Sequence, residues 1–169
     1  MALEQISLCE LQGHHEAELA TLFAAIHEDP ASRYFHPHPF SAEEATRICQ
    51  YAGKDLYLMM CVGGAPVGYG LLRGWDAGYA VPSLGIFVVS SARGTGAAKI
   101  LMEYMHYCAR LRGAPAVRLK VYEANKGAAR LYTRLGYVFA DDLENGQLVG
   151  KLELRSPTAN GNVDLSPSG

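Results

Sequence analysis

Val88-Val89-Ser90-Ser91-Ala92-Arg93-Gly94-Thr95-Gly96-Ala97-Ala98 is the stretch on which the reading of this chain turns. It begins in a dense apolar run, Leu84 to Val89, of the kind buried on both faces of a sheet. It ends in a helix whose apolar stripe is read as Leu101, Tyr104, Met105 and Cys108. Between them, small residues let successive backbone amides crowd together and point outward. The helix adds the positive end of its dipole. Strand, glycine turn and helix together make a cradle suited to a pyrophosphate. Arg93 can fold over the same phosphates or close the loop. A plainer reading keeps the glycines for tight packing alone, and the fragment by itself leaves both open.

Two other phosphate-binding patterns fail on detail. A P-loop needs Gly-x-x-x-x-Gly-Lys-Ser/Thr, which the sequence lacks. A dinucleotide fingerprint needs a third small residue three places after Gly96, where Lys99 stands.

Outward from the turn, the pattern gives a complete small domain. Ile6 to Leu11 reads as a strand, and Glu16 to Glu28 as a helix with Leu19, Leu22, Phe23 and Ile26 on one stripe. A proline-rich loop, 29–40, precedes a capping box, Ser41-Ala42-Glu43-Glu44, that opens a second helix. Leu56 to Val62 and Val67 to Leu72 form a hairpin about Gly63-Gly64, and a loop from Gly74 to Pro82 follows. After the central helix, Val117, Leu119 and Val121 alternate in a half-exposed strand. Asn125 caps a helix striped by Ala128, Leu131, Tyr132 and Leu135. Tyr137 to Ala140 and Leu148 to Leu154 close the domain as two strands. The order is β-α-α-β-β-β-α-β-α-β-β, an α+β, or mixed α/β, layout.

Composition narrows the function. The 169 residues are one domain's worth, 49% hydrophobic and 19% charged, which suits a folded core. Fifteen Lys+Arg against 17 Asp+Glu give a formal charge of −2, so nucleic acid is not expected as a partner. No apolar run approaches the ~18 residues of a membrane span, and Met1-Ala2-Leu3-Glu4 lacks the opening of a secretory signal. Cys9, Cys49, Cys61 and Cys108 form no Cys-x-x-Cys pair and read as free thiols of a cytoplasmic protein. Neither His14-His15 nor His36-Pro37-His38 has a third ligand at helical spacing, so no metal is expected. Residues 1–155 are read as one domain and 156–169, rich in Ser, Pro, Asn and Gly, as a polar tail.

The sequence is similar to the GNAT superfamily of acyl-CoA-dependent N-acetyltransferases. Val88 to Ala98 resembles that family's strand and pyrophosphate loop. Asn125-Lys126-Gly127-Ala128-Ala129-Arg130-Leu131-Tyr132-Thr133-Arg134-Leu135-Gly136-Tyr137 resembles its later helix motif. The resemblance implies a mostly antiparallel twisted sheet of about seven strands with about four helices. Two parallel strands, Leu84–Val89 and Val117–Tyr122, would splay around acetyl-CoA. Ile86, Phe87 and Val88 would pair with the pantetheine arm. Arg93, Gly94, Thr95, Gly96, Ala97, Ala98 and Lys99 would surround the diphosphate. Asn125 would contact the cofactor, and Tyr132 would protonate the departing thiolate.

The chain departs from the family at three places. Ser90 stands for a frequent proline and Ala98 for a frequent glycine. Where some members place a glutamate base, this chain reads Lys120-Val121-Tyr122, with Glu123 displaced. Base catalysis is then left to water, Asp76, Tyr79 or His38. The resemblance implies acetylation of a primary amine on a small molecule, with an amino sugar or sugar nucleotide as first choice. The alternatives are a non-catalytic acyl-CoA-binding module and a protein N-terminal or lysine acetyltransferase. Candidate acceptor contacts are His36, His38, Trp75, Asp76 and Tyr79. Aromatic rings beside an acid suit a sugar face or a cationic amine. A homodimer remains open.

Overall fold

A computed structural model describes residues 4–155; the expected tail at 156–169 lies outside them. Seven strands form one sheet: β1 (Ile6–Glu10), β2 (Leu56–Val62), β3 (Ala65–Arg73), β4 (Ser83–Val88), β5 (Ala116–Val121), β6 (Val138–Glu144) and β7 (Gln147–Glu153). Four helices cover it: α1 (Glu16–Glu28), α2 (Ala42–Cys49), α3 (Ala97–Leu111) and α4 (Lys126–Arg134). The strand order is β1-β2-β3-β4-β5-β7-β6. Every contact is antiparallel except that of β4 with β5, which is parallel.

The continuous apolar run of β2 has a simple cause. Leu56, Leu58 and Met60 enter the core under α3 and α4, with Leu101, Met102 and Met105. Tyr57, Met59 and Cys61 enter a second core under α1 and α2, with Leu19, Leu22, Phe23 and Ile26. A strand covered on both faces has no polar side to alternate with. Each large side chain fully buried here contributes about 1.5–3 kcal/mol.

Helix boundaries follow local chemistry. Asp29 ends α1 in an extended conformation because Pro30 follows it. Ser41 Oγ accepts the Glu44 N–H at 3.2 Å and starts α2. The expected return bond of the capping box is not formed; Arg47 takes both Glu44 carboxylate oxygens, at 2.9 and 2.6 Å. The expected stripe of α3 is also corrected. The fully buried positions are Ala97, Leu101, Met102, Met105, His106 and Ala109, while Tyr104 and Cys108 are only half-buried. His106 sets this rotation, since its Nε2 lies 2.7 Å from the Tyr137 hydroxyl, a partner 31 residues away.

Candidate active site

The sheet opens between β4 and β5. They share a single bridge, Ser83 with Arg118, where the Arg118 amide donates to Pro82 O at 3.0 Å. Beyond it, Leu84–Val88 and Leu119–Val121 run on without pairing to each other. β4 is held on its other edge by β3 in the register Gly68 with Val88 and Tyr69 with Phe87. The Val89 amide donates to Val67 O at 2.9 Å, which fixes the alternation of that ladder. Odd-numbered residues of β4 therefore turn their N–H and C=O to β3, and Ile86 and Val88 turn theirs to the gap. Phe87, expected beside them, is engaged in the β3 ladder instead.

The glycine turn stands at the open end of this wedge. Gly94 and Gly96 have φ of +74° and +90°, the left-handed region where a side chain is strained. A Cβ placed on either would meet nothing within 4 Å, so packing does not explain them. The Thr95 hydroxyl donates to Ala92 O at 2.5 Å and fixes the turn. Among the described residues, no acceptor faces the amides of Gly94, Thr95, Gly96, Ala97, Ala98 or Lys99. Six successive donors at a helix N-terminus form an anion nest. A diphosphate fits that donor set, and no carboxylate is paired with it.

Arg93 does not fold over the nest. Its Nε donates to Val88 O at 3.1 Å, its terminal nitrogen binds Asp29 Oδ2 at 2.6 Å, and its guanidinium lies 5.3 Å from the Phe87 ring centroid. Of its two expected roles it performs loop closure. Lys99 is exposed and lies 4.0 Å from Glu103, a surface pair of little energetic weight.

On α4, Asn125 Oδ1 accepts the Ala128 N–H at 3.4 Å as a helix cap, which leaves its NH₂ free. Tyr132 belongs to the same core as Val88, Leu101 and Val121 and is 8% exposed. Its hydroxyl has no hydrogen-bond partner among the described residues, yet it is not a sealed polar atom, so it reaches space that water can enter. Burial pushes this phenol up to about 12, so it stays protonated through the physiological range.

The other candidates divide. His36 is exposed, with its ring 6.3 Å from that of Tyr122, just past the open end of β5. Tyr34 lies 6.0 Å from the same ring, while Phe35 packs 6.0 Å from Phe87 on β4. Residues 34–36 therefore straddle the gap on the α1/α2 face. The sequence reading missed Tyr34 and Tyr122, since no local motif marks a long-range aromatic contact. His38 proves to be a core residue: its Nδ1 is 2.7 Å from Pro39 O and its Nε2 is 2.8 Å from the Tyr69 hydroxyl. Burial lowers its pKa, and with both nitrogens engaged it is not free to act as a base.

Trp75, Asp76 and Tyr79 lie in the β3–β4 loop, at the closed end of the wedge. One oxygen of Asp55 accepts the amides of Gly74, Trp75 and Asp76, at 2.9, 2.9 and 3.3 Å. Asp76 binds the Tyr51 hydroxyl and the Lys54 amide, bonds that lower its pKa. The Trp75 ring lies beneath Arg112 at 5.1 Å. Tyr79 is 68% exposed. Trp75 and Asp76 are thus anchors of the loop, and none of the three is brought to the gap.

Known proteins agree with this geometry. The protein-family model described as the acetyltransferase (GNAT) family matches residues 21–137. No curated protein matches the chain in sequence. Among solved structures, the GNAT domain of S. lividans PAT superposes with a TM-score of 0.75 at 18% identity, over 89% of this chain and 97% of that one. The PaiA N-acetyltransferase of Thermoplasma acidophilum, solved in complex with coenzyme A, gives 0.71 at 15%, over 88% and 99%. The ribosomal-protein-S18-alanine N-acetyltransferase of Escherichia coli gives 0.66 at 17%, over 92% and 98%. At these identities the likeness concerns the fold, and the family rests on the sequence match, which spans more than half of the residues. The chain belongs to the acetyltransferase (GNAT) family and is an acetyl-CoA-dependent N-acyltransferase.

Proposed function

We propose that this protein moves an acetyl group from acetyl-CoA to the primary amine of a small molecule, by direct attack within a ternary complex. The observation that carries the proposal is the run of amides from Gly94 to Lys99 with no acceptor, at the mouth of an open wedge. Acetyl-CoA supplies a thioester, a carbonyl open to an amine with a sulfur that can leave. The amides of Gly94–Lys99 hold the diphosphate, and the N–H and C=O of Ile86 with the N–H of Val88 line the pantetheine arm as a strand would. The Asn125 NH₂ lies free for the same arm.

Val88 O is already occupied by Arg93, so the Val88 N–H is the free donor for the oxyanion that develops on the acetyl carbonyl. The new C–N bond forms as the C–S bond breaks. Tyr132 delivers its proton to the sulfur and recovers one from water. The attacking nitrogen releases its proton to water, because His38 and Asp76 are engaged and Tyr79 is remote from the gap. Residues 34–36 over the gap favour a small acceptor over a length of peptide backbone. Of the residues expected to face an amino sugar, only His36 stays at the gap.

The test is thiol release from acetyl-CoA with amino sugars, amino acids, ethanolamine, polyamines and peptides. Release with a small amine is expected. Release with peptides alone would make the protein a protein acetyltransferase. Coenzyme A binding with no turnover on any amine would make it a binding module.

A further inference from the structure

The acceptor side of the wedge carries cations. β5 alternates, so Val117, Leu119 and Val121 enter the α3/α4 core and Arg118, Lys120 and Tyr122 project on the α1/α2 face. The parallel register of Ser83 with Arg118 sets Lys120 across the gap from Gly85, and Tyr122 across from Phe87. A Cβ on Gly85 would lie 3.0 Å from Phe35 Cε2 and 3.1 Å from Leu71, so the missing side chain is what lets Phe35 pack against β4 beside the gap. Lys120 and Arg118 both bind one oxygen of Glu144 on β6, Arg118 at 3.0 Å. Two cations thus share one carboxylate. Arg33 adds a third, its guanidinium 4.7 Å above the Tyr34 ring that meets Tyr122. Lys151, beside Arg118 in the register, is offset by Glu153 at 2.9 Å. A chain of net charge −2 therefore sets Arg33, Arg118 and Lys120 with Glu144 on and beside the face of β5 that adjoins residues 34–36.

We infer that the acceptor carries an anionic group, a carboxylate or a phosphate, close to its reactive amine, and that Lys120 and Arg118 receive that group. Glu144 holds the two cations in position beforehand, so binding the anion costs them little side-chain freedom. The same field repels polyamines and lysine-rich peptides. It also places a negative group beside the amine. This inference rests on the proposed transfer at the wedge and narrows its substrate class.

The experiment uses the whole chain, acetyl-CoA and two matched pairs: glycine against glycinamide, and phosphoethanolamine against ethanolamine. The expected result is a higher kcat/KM for the anionic member of at least one pair, and the pair that shows it says whether carboxylate or phosphate is preferred. Lys120→Gln is expected to lower the anionic-to-neutral ratio about tenfold, and Lys120→Arg to restore most of it. A structural role for Lys120 would lower both members alike. Equal kcat/KM within both pairs, or a ratio that Lys120→Gln does not change, overturns the inference and leaves the transfer reaction standing. If no amine turns over, the transfer reading falls on its own. Calorimetry of glycine and phosphoethanolamine in the presence of coenzyme A then decides the anion site, which is overturned if neither binds more weakly to Lys120→Gln than to the unsubstituted chain.

Discussion

Two loops of this chain are built from similar residues and end in opposite states. Residues 74–82 connect β3 to β4, and residues 89–96, ending in the glycine turn at 93–96, connect β4 to α3. Both carry glycines with positive φ. In the first, most of the amides from Gly74 to Tyr79 and the acidic side chains are engaged: three amides converge on Asp55, the Asp76 carboxylate holds Tyr51 and Lys54, and Trp75 is covered by Arg112. In the second, six donors in a row from Gly94 to Lys99 have no partner among the described residues. Free amides are ordinary at any helix N-terminus; what sets this one apart is that two left-handed glycines add their donors to it at the mouth of the wedge. We read the turn at 93–96 as the place where the partner is a ligand, and the loop at 74–82 as a piece of scaffold.

The strongest way to break this contrast is Gly96→Glu. A carboxylate in the nest should weaken coenzyme A by about a thousandfold in calorimetry, through repulsion of the diphosphate and competition for the same amides. Gly96→Ala separates charge from backbone strain, since the added Cβ meets nothing and the left-handed φ costs only about 1–2 kcal/mol. Near-equal affinities for the two variants would contradict the nest. Next in size, Tyr132→Phe should lower kcat about a hundredfold while coenzyme A affinity holds. The pH dependence should agree with it. Activity should rise as the acceptor amine loses its proton and should not fall again until the pH nears the Tyr132 value of about 12. An inflection near the ordinary histidine range that Tyr132→Phe leaves in place would point to another acid.

The scaffold loop should respond in the opposite currency. Asp55→Ala strips the acceptor from three amides and should cost about 2–4 kcal/mol in denaturant unfolding, with coenzyme A affinity of the folded protein unchanged. A loss of activity without a loss of stability would move this loop into the site. The smallest effect belongs to the link between cradle and acceptor segment. Asp29 accepts the Ala31 amide at 2.9 Å and holds Arg93, so it ties residues 30–34 to the turn. Asp29→Asn should raise the acceptor KM several-fold with little change for coenzyme A, and an equal rise in both would show a general loosening instead.

Most of the architecture could be read from residue order, because each strand and helix carries a local pattern. The α1 and β2 boundaries are as expected, and β4 and β5 each lie one residue earlier. The glycine turn was legible for the same reason, being a contiguous motif on a strand-to-helix junction. The rest depended on contacts between distant residues. α3 is apolar on more than one stripe, and its contacts with the sheet and with Tyr137 decide which way it turns. His38 looked like a loop histidine because Tyr69, which buries it, lies 31 residues away. In the sequence Lys120 stands out only as the absence of a glutamate, although the register of β5 against β4 sets it level with Gly85 beside the gap.

Amide hydrogen exchange with and without coenzyme A tests the central claim most directly. In the free protein the amides of Gly94 to Lys99 should exchange fast, and those of Trp75 and Asp76 should be slowed by Asp55. Coenzyme A should protect the first group strongly and leave the second unchanged. Protection at 74–79 instead, or no change from Gly94 to Lys99 under saturating coenzyme A, would contradict the account.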